Sequence, residues 1–440
     1  MRADDPRGQD QLPGQAIQEL TDAILPEIEA LYEDLHRHPE LSMQETRTAA
    51  LVTECVQALD AYAVTPGVGG TGVVGVLRNG EGPTVALRAD MDALPLEEKT
   101  TLPYASQAMG TTPDGRAVHV MHACGHDVHT ASLLGAADVL AHLRDGWRGT
   151  LLLIFQPGEE SSAGAEAMLH DGIFTRFPRP DVLLGQHDGP YPAGTVLHRP
   201  GVTANACTNL RVRIFGVGGH GAMPETAVDP ILIAASAIVR LQAIVSREIP
   251  ARHLPVVTVG SIHAGTRPNI IPDEAVMEIT LRSTDDAVLD QIEAAVRRII
   301  AAEAEAARAP RPAEIEVTEH APVLNNDAQT TERVAAAHRA FFGAERTLDI
   351  PGVHPASEDF GAFGLASPDH FPPPDIPYCY WALGAISPET WARTRGETAL
   401  EKLSHLPSPH SPFFAPDPLP TLRTGVAALT VAALEFLAQP

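Results

Sequence analysis

A chain of 440 residues with 31 Lys and Arg against 56 Asp and Glu carries a formal charge of −25. That balance disfavours nucleic-acid phosphates and anionic membrane surfaces as partners. Apolar residues at 44% and charged residues at 20% are the composition of a globular protein. At about 150 residues per domain, two or three domains are expected. Four cysteines (Cys55, Cys124, Cys207 and Cys379) are too few for a disulfide framework over this length. No run reaches the roughly 18 apolar residues of a membrane span, and the opening MRADDPRGQDQLPGQ is too polar for a secretory signal. The expected compartment is the cytoplasm.

Residues 1–15 read as a loose leader. A helix follows over AIQELTDAILPEIEALYEDLHRH, where Ile17, Leu20, Ile24, Ile28 and Leu31 recur every three to four residues. A second helix is expected from Glu45 to Leu59. GTGVVGVLRNG and GPTVALRAD, apolar runs punctuated by Gly, read as strands. The segment from Asp127 to Leu143 reads as a helix with Asp127 as its N-cap. TLLLIF and DVLLGQH are short continuous apolar runs, as in strands buried on both faces. Strands alternating with helices define an α/β domain with a largely parallel sheet.

The pattern changes near residue 205. NLRVRIFGV alternates polar with apolar, and DPILIAASAIVRLQAIVSRE is a helix with Asp229 as N-cap and Pro230 at its first position. Two strands (PVVTVGSIHAG and EAVMEITLRS), a helix (DDAVLDQIEAAVRRIIAAEAEAA) and a last strand (AEIEVTEH) complete a β-α-β-β-α-β order. This is the split arrangement of a ferredoxin-like domain, an antiparallel sheet with two helices on one face. It is expected at 205–320, inserted into an α/β domain formed by 1–204 and 321–440.

Open α/β sheets bind ligands at the carboxyl ends of their strands. Three strands here end in polar groups: Asp90 and Asp92, then Glu159 and Glu160, then His187. MHACGHDVH lies between the first two, and in an extended backbone Cys124 and His126 point the same way. Singly, these residues read as buried thiol, solvated acids, turn formers and ordinary histidines. Together, a thiolate, imidazoles and carboxylates form a transition-metal set. Adjacent glutamates leaving a strand do not easily aim both carboxylates at one ion.

The stretches LHRHPELSMQE, ALRADMDALPL, MHACGHDVHTA, FQPGEE, GQH, GVGGHGAMPE, AGTRPNIIPDEA, SEDFGAF and SPHSPFF run in this order from about residue 35 to 415. In them the chain resembles the two-metal amidohydrolases that include aminoacylases, hippurate hydrolases, indole-acetyl-amino-acid hydrolases and relatives of carboxypeptidase G. The resemblance implies a zinc-exopeptidase-like catalytic domain with the ferredoxin-like domain as lid, through which a homodimer would form. It implies two divalent ions, Zn first with Mn, Co or Ni as alternatives, held by Cys124 as bridge, His126, Glu160, His187 and His410. His405 is the fallback for His410. Glu159 resembles the general base, and His220 and Asn269 resemble lid donors to the substrate, His220 being catalytic. Asp92 resembles the acid that supports the metals, while Asp90 stands where distant relatives have a ligand His. Arg267 departs from the small or apolar residue of close relatives and would meet either a substrate carboxylate or water. His36 and His38 read as structural, and His122 and His129 as flanking residues.

The implied reaction is hydrolysis of the amide of an N-acyl amino acid by a metal-activated water. The alternative on the same scaffold is a dipeptidase or carboxypeptidase acting on short peptides. A Cys124 nucleophile with a His base is a second rival. A binding protein is the third, and it would have no use for Glu159.

Overall fold

The larger of two units is built around one apolar helix. In the computed structural model, which describes residues 14–364 and 375–439, nearly every side chain of α3 (His126–His142) is buried. Helix α1 (Gly14–Arg37) presents Ile17, Leu25, Ile28, Tyr32 and Leu35 to the same core. Leu20, Ile24 and Leu31 only flank that stripe, so the buried face is rotated from the one expected. Helix α2 (Thr46–Ala58) buries Val52 and Val56. Of the leader, residues 1–13 lie outside the described residues, and Gly14 and Gln15 already belong to α1.

Strands β1 (Ala63–Val68), β2 (Gly72–Asn79), β3 (Thr84–Asp90), β4 (Gly149–Gln156), β5 (Val182–Pro192) and β6 (Val196–His198) form most of its sheet. The small unit then intervenes. It comprises β7 (Ala206–Phe215), α4 (Pro230–Ala243), β8 (Val256–Ala264), β9 (Glu274–Ser283), α5 (Asp286–Ala306) and β10 (Glu314–Ala321). The large unit resumes with α6 (Ala328–Phe342), β11 (Thr347–Asp349), β12 (Tyr378–Ile386) and α7 (Pro418–Phe436). Its eight strands run β1-β2-β4-β3-β5-β12-β6-β11. Strands β4, β3, β5 and β12 are mutually parallel, and β1, β2 and β6 pair antiparallel. The chain leaves β3 through α3 to β4 on one side, then crosses to β5 on the other. Such a reversal leaves a crevice at the carboxyl ends of the strands. On one face α3 lies between α1 and α7, where a Cβ on Gly135 would come within 2.6 Å of Val426 and 3.3 Å of Ile28.

In the small unit the sheet order is β8-β9-β7-β10, antiparallel throughout. Leu210, Val212 and Ile214 alternate with the polar Arg211 and Arg213, and the apolar set packs with α4 and α5. Asp229 accepts from Ile231 N at 2.9 Å to cap α4, with Pro230 behind it. Helix α4 stops at Ala243 and the run to Glu248 continues as one π turn. By length and composition Pro230–Glu248 would pass for a membrane span. In the fold Ile233, Ala234, Ala237 and Leu241 of this run are buried in the core of the small unit. The unit spans Val202–Asn325 and also takes in Val353–Gly361, which the sequence reading had left in the large one.

Candidate metal centre

The crevice beside β3 collects the polar strand ends. Asp90 closes β3 opposite Gln156 of β4, and the chain leaving β4 turns at once into Glu159 and Glu160. His187 lies within β5, in register with Ala382 of β12. Cys124 and His126 enter from the start of α3. Here the local geometry differs from the extended backbone expected. Gly125 is left-handed (φ 76°) and is itself the N-cap, so His126 is the first helical residue and Asp127 sits inside the first turn. A side chain at Gly125 would place Cβ 2.0 Å from Asp188 Oδ1, which is why the position is glycine.

These residues fall into overlapping groups. Potential ligand atoms of Cys124, His126 and His187 lie within 4.8 Å of one another, and so do those of Cys124, Glu160 and His410. The thiol belongs to both trios, and a third group of His126, Glu159 and Glu160 joins them, so the ligand atoms form one continuous cluster. Cys124 Sγ is 3.4 Å from His187 Nε2, and His410 Nε2 is 3.2 Å from Glu160 Oε2. His410 is held by its backbone N–H, which donates to Ala123 O at 2.8 Å. His405 is exposed and closes a turn after the short helix Ala399–Leu403. The glutamates are not separated as the strand argument expected. Glu159 Oε2 and Glu160 Oε1 both lie 3.9 Å from His126 Nε2, because both backbone amides are anchored on the Asp92 carboxylate at 3.1 and 3.0 Å. What distinguishes Glu160 is its second oxygen on His410.

The residues fit a pair of cations. His126 Nε2 and Glu160 Oε1 are buried without a hydrogen-bond partner among the described residues. Burial, Glu160 and Glu159 push the Cys124 thiol well above its ordinary range, so a thiolate there requires positive charge beside it. Burial lowers the His126 imidazole, but Asp90 and Asp92 outweigh it and raise the group well above its usual value. Desolvation and the neighbouring His129 hold His187 down at about 4, which keeps its ring neutral for coordination. Each imidazole also has its outer nitrogen engaged: His126 Nδ1 with Asp92 Oδ1 at 3.2 Å, His187 Nδ1 with Asp188 O at 2.6 Å. That fixes the tautomer and leaves Nε2 facing the crevice.

Support residues surround the centre that sequence reasoning had passed over. Ser42 donates to Asp92 Oδ2 at 2.6 Å. Buried Glu45 accepts from Met43 N at 2.7 Å and Gly158 N at 2.9 Å, and from the Thr71 hydroxyl, so it ties the glutamate loop to α2. Burial and the nearby Asp92 push its carboxyl up to about 7. Glu45 and Ser42 lie in LSMQE, one of the matched stretches, which was the available signal. Asp188, next to His187, gave none. His36 is fully buried between Asp127 (2.7 Å) and Glu98 (3.2 Å), whereas His38 is exposed against Asp34 O.

His220 and Asn269 come together within the small unit. Gly219–His220 pairs with Ile270–Ile271, and Gly221 N donates to Asn269 O at 2.9 Å. Ala222 N donates to His220 Nδ1 at 3.1 Å, so the neutral ring carries its proton on the exposed Nε2. Arg267, exposed, opens the adjoining turn, with Ile270 N on its carbonyl at 3.2 Å.

A mixed α/β sheet with a cluster of thiol, imidazole and carboxylate at its reversal point defines a metallohydrolase. The family model of Peptidase family M20/M25/M40 matches residues 86–384, and the chain belongs to that family, whose members hydrolyse amide and peptide bonds. It is 38% identical over 377 residues to the N-acetyl-L-cysteine deacetylase of Bacillus subtilis strain 168, covering 84% of each chain. It is 38% identical over 341 residues to the hippurate hydrolase of Campylobacter jejuni, covering 77% of this chain and 85% of that one. Among solved structures, the Bacillus subtilis YXEP protein, a dinuclear metal binding peptidase of the M20 family, superposes with a TM-score of 0.69. The two are 28% identical, and the match covers 94% of this chain and 99% of that one.

Proposed function

We propose that this enzyme hydrolyses the amide bond of N-acyl amino acids at a dinuclear centre, in which Cys124 would be shared by both ions, His126 and His187 would hold one, and Glu160 and His410 the other. The observation that carries the reading is that the Cys124 thiol lies within ligand distance both of His126 and His187 and of Glu160 and His410. Zn is the ion a thiolate–imidazole set favours, with Mn, Co and Ni as competitors. When bound, two such ions supply Lewis acidity and make a water acidic enough to attack near neutral pH. Glu159, beside His126, would accept a proton from the attacking water and return it to the leaving amine. His220 Nε2–H and the Asn269 amide are the small unit's donors to the substrate carbonyl, His220 serving as the oxyanion donor.

The deacetylase and hippurate hydrolase names of the relatives support an N-acyl amino acid as substrate. Free thiols at all four cysteines suit a reducing compartment, and we place the enzyme in the cytoplasm. Leu232 and Val239 on α4 are 67% and 75% exposed, an apolar surface suited to a second copy of the chain. The deciding experiment is a screen of N-acetyl, N-benzoyl and longer N-acyl amino acids beside free dipeptides, before and after chelation and metal return. Metal-dependent turnover of acyl amino acids is the expected result. Preference for free dipeptides would overturn the substrate, and turnover that survives chelation would overturn the metal mechanism.

A further inference from the structure

Four buried polar side chains outside the proposed ligand set form a continuous chain beneath it. Arg88 donates from a guanidinium N–H to Asp90 Oδ2 at 2.7 Å and through Nε to Gln156 Oε1 at 2.8 Å. The other Asp90 oxygen meets His129 Nδ1 at 2.5 Å. His129 Nε2 lies 2.9 Å from the Asp188 backbone N–H and 3.1 Å from Asp188 Oδ1. Asp188 O in turn receives His187 Nδ1 at 2.6 Å. Arg88, Asp90, His129 and Asp188 are each at most 2% exposed. The His129 ring centroid is 4.5 Å from that of His187 and 5.4 Å from that of His126, which are themselves 6.0 Å apart, so it packs against both imidazoles of one trio.

A polar chain this deep is costly unless every member is satisfied. Its geometry shows what it accomplishes. His187 is oriented by one acceptor, the carbonyl of Asp188, and the Asp188 residue is pinned by His129 on its amide. His129 is pinned by Asp90, and Asp90 by Arg88. We propose that His129 is a positioning residue for the metal site of Cys124, His126 and His187, acting through Asp188 on the presentation of His187 Nε2. The second trio, Cys124 with Glu160 and His410, receives no such bond from the chain. The inference rests on the dinuclear reading and adds that the two sites depend unequally on this buried support.

The test is titration of metal-free protein with Co²⁺ and with Zn²⁺ against a competing chelator, following the thiolate-to-Co²⁺ absorption. Wild-type protein is expected to take two ions. His129→Ala should lose affinity for one of them by about 10–100-fold, the scale of a lost partner behind a metal-bound histidine, while the second ion binds as before. His129→Gln can place an amide oxygen where Nε2 accepts from Asp188 N–H and should recover most of that affinity. His129→Asn, which reaches only the Nδ1 position, should not. Should His129→Ala fold poorly, the contrast of His129→Gln with His129→Asn carries the reading by itself. Unaltered binding of both ions by His129→Ala, or equal loss of both with no advantage of Gln over Asn, would overturn the positioning role. A wild-type protein that binds fewer than two ions would instead overturn the dinuclear reading beneath it.

Discussion

Cys124 and the glutamate pair are where single side chains decide the chemistry. Removing the shared sulfur takes a ligand from both trios, so Cys124→Ala should lose both ions by metal analysis and most activity. Glu159→Gln keeps the ligand set and should retain metal while turnover falls by about 10²–10⁴-fold. Glu160→Gln should weaken metal binding first, because its second oxygen also reaches His410. Reversed phenotypes would reverse the roles, and the common 3.9 Å approach to His126 makes this the decisive pair. Away from the metals, His36 carries a pH signature. Burial lowers its imidazole, but hydrogen bonds to Asp127 and Glu98 outweigh that and raise it to about 9, against about 6.5 in the unfolded chain. The folded state then holds the extra proton between those values. Its contribution is complete below pH 6.5 and fades as pH rises through 9. Urea midpoints of metal-free wild type should therefore fall over that range relative to those of His36→Gln, and parallel profiles would dismiss the effect.

At the scale of elements, the turn into α3 is the most constrained junction. Gly125→Ala meets both a left-handed backbone and the Asp188 carboxylate, and should cost roughly 2–4 kcal/mol by denaturant titration. The same junction shows what was legible beforehand. The strands and helices named before residue 320 followed from period and punctuation, because core-facing periodicity is a local property: β9 spans the very residues of EAVMEITLRS. Convergence of Asp90, Glu159 and Glu160 followed from strand ends meeting at one rim, whereas His187, read as a strand end, lies within β5, which runs on to Pro192, and Cys124 and His126 enter from the start of α3. The backbone route did not follow, since the turn at Gly125 answers to Asp188, 63 residues further on. The support by Asp188 and His129 was hidden for the same reason: a bond from a mid-strand histidine to the next carbonyl leaves no mark on composition or spacing. The transfer of Val353–Gly361 to the small unit depends on contacts, which periodicity does not report.

For the whole molecule, two separate cores make metal a local stabiliser. Every proposed ligand belongs to the large unit, whereas the small one is closed by its own apolar cluster. Free ion at 100 times its dissociation constant adds about 2.7 kcal/mol to the state that binds it. Hydrogen exchange should accordingly slow in α3 and β3–β5 on metal addition and stay unchanged in β7–β10. Uniform protection across both units would show that they unfold as one. The apolar face of α4 gives a separate expectation. Replacing Leu232 and Val239 together with Glu should shift a dimer to monomer in sedimentation with the fold intact. An unchanged mass would remove that surface from the interface.

The place of β12 in the sheet also sets an order of events in time. It lies between β5 and β6 and pairs with both, yet it follows them in the chain by the entire small unit. A ribosome-bound chain must hold the flank of β5 open until residue 386 has emerged, and contacts this distant close slowly. The sulfur and the last histidine of the second trio are likewise separated by most of the polypeptide. Metal added to unfolded protein is therefore expected to leave the refolding rate in stopped-flow unchanged while raising the final stability. Enzyme production would then be limited by how well the unfinished sheet is shielded, and ion supply would govern only what happens after closure.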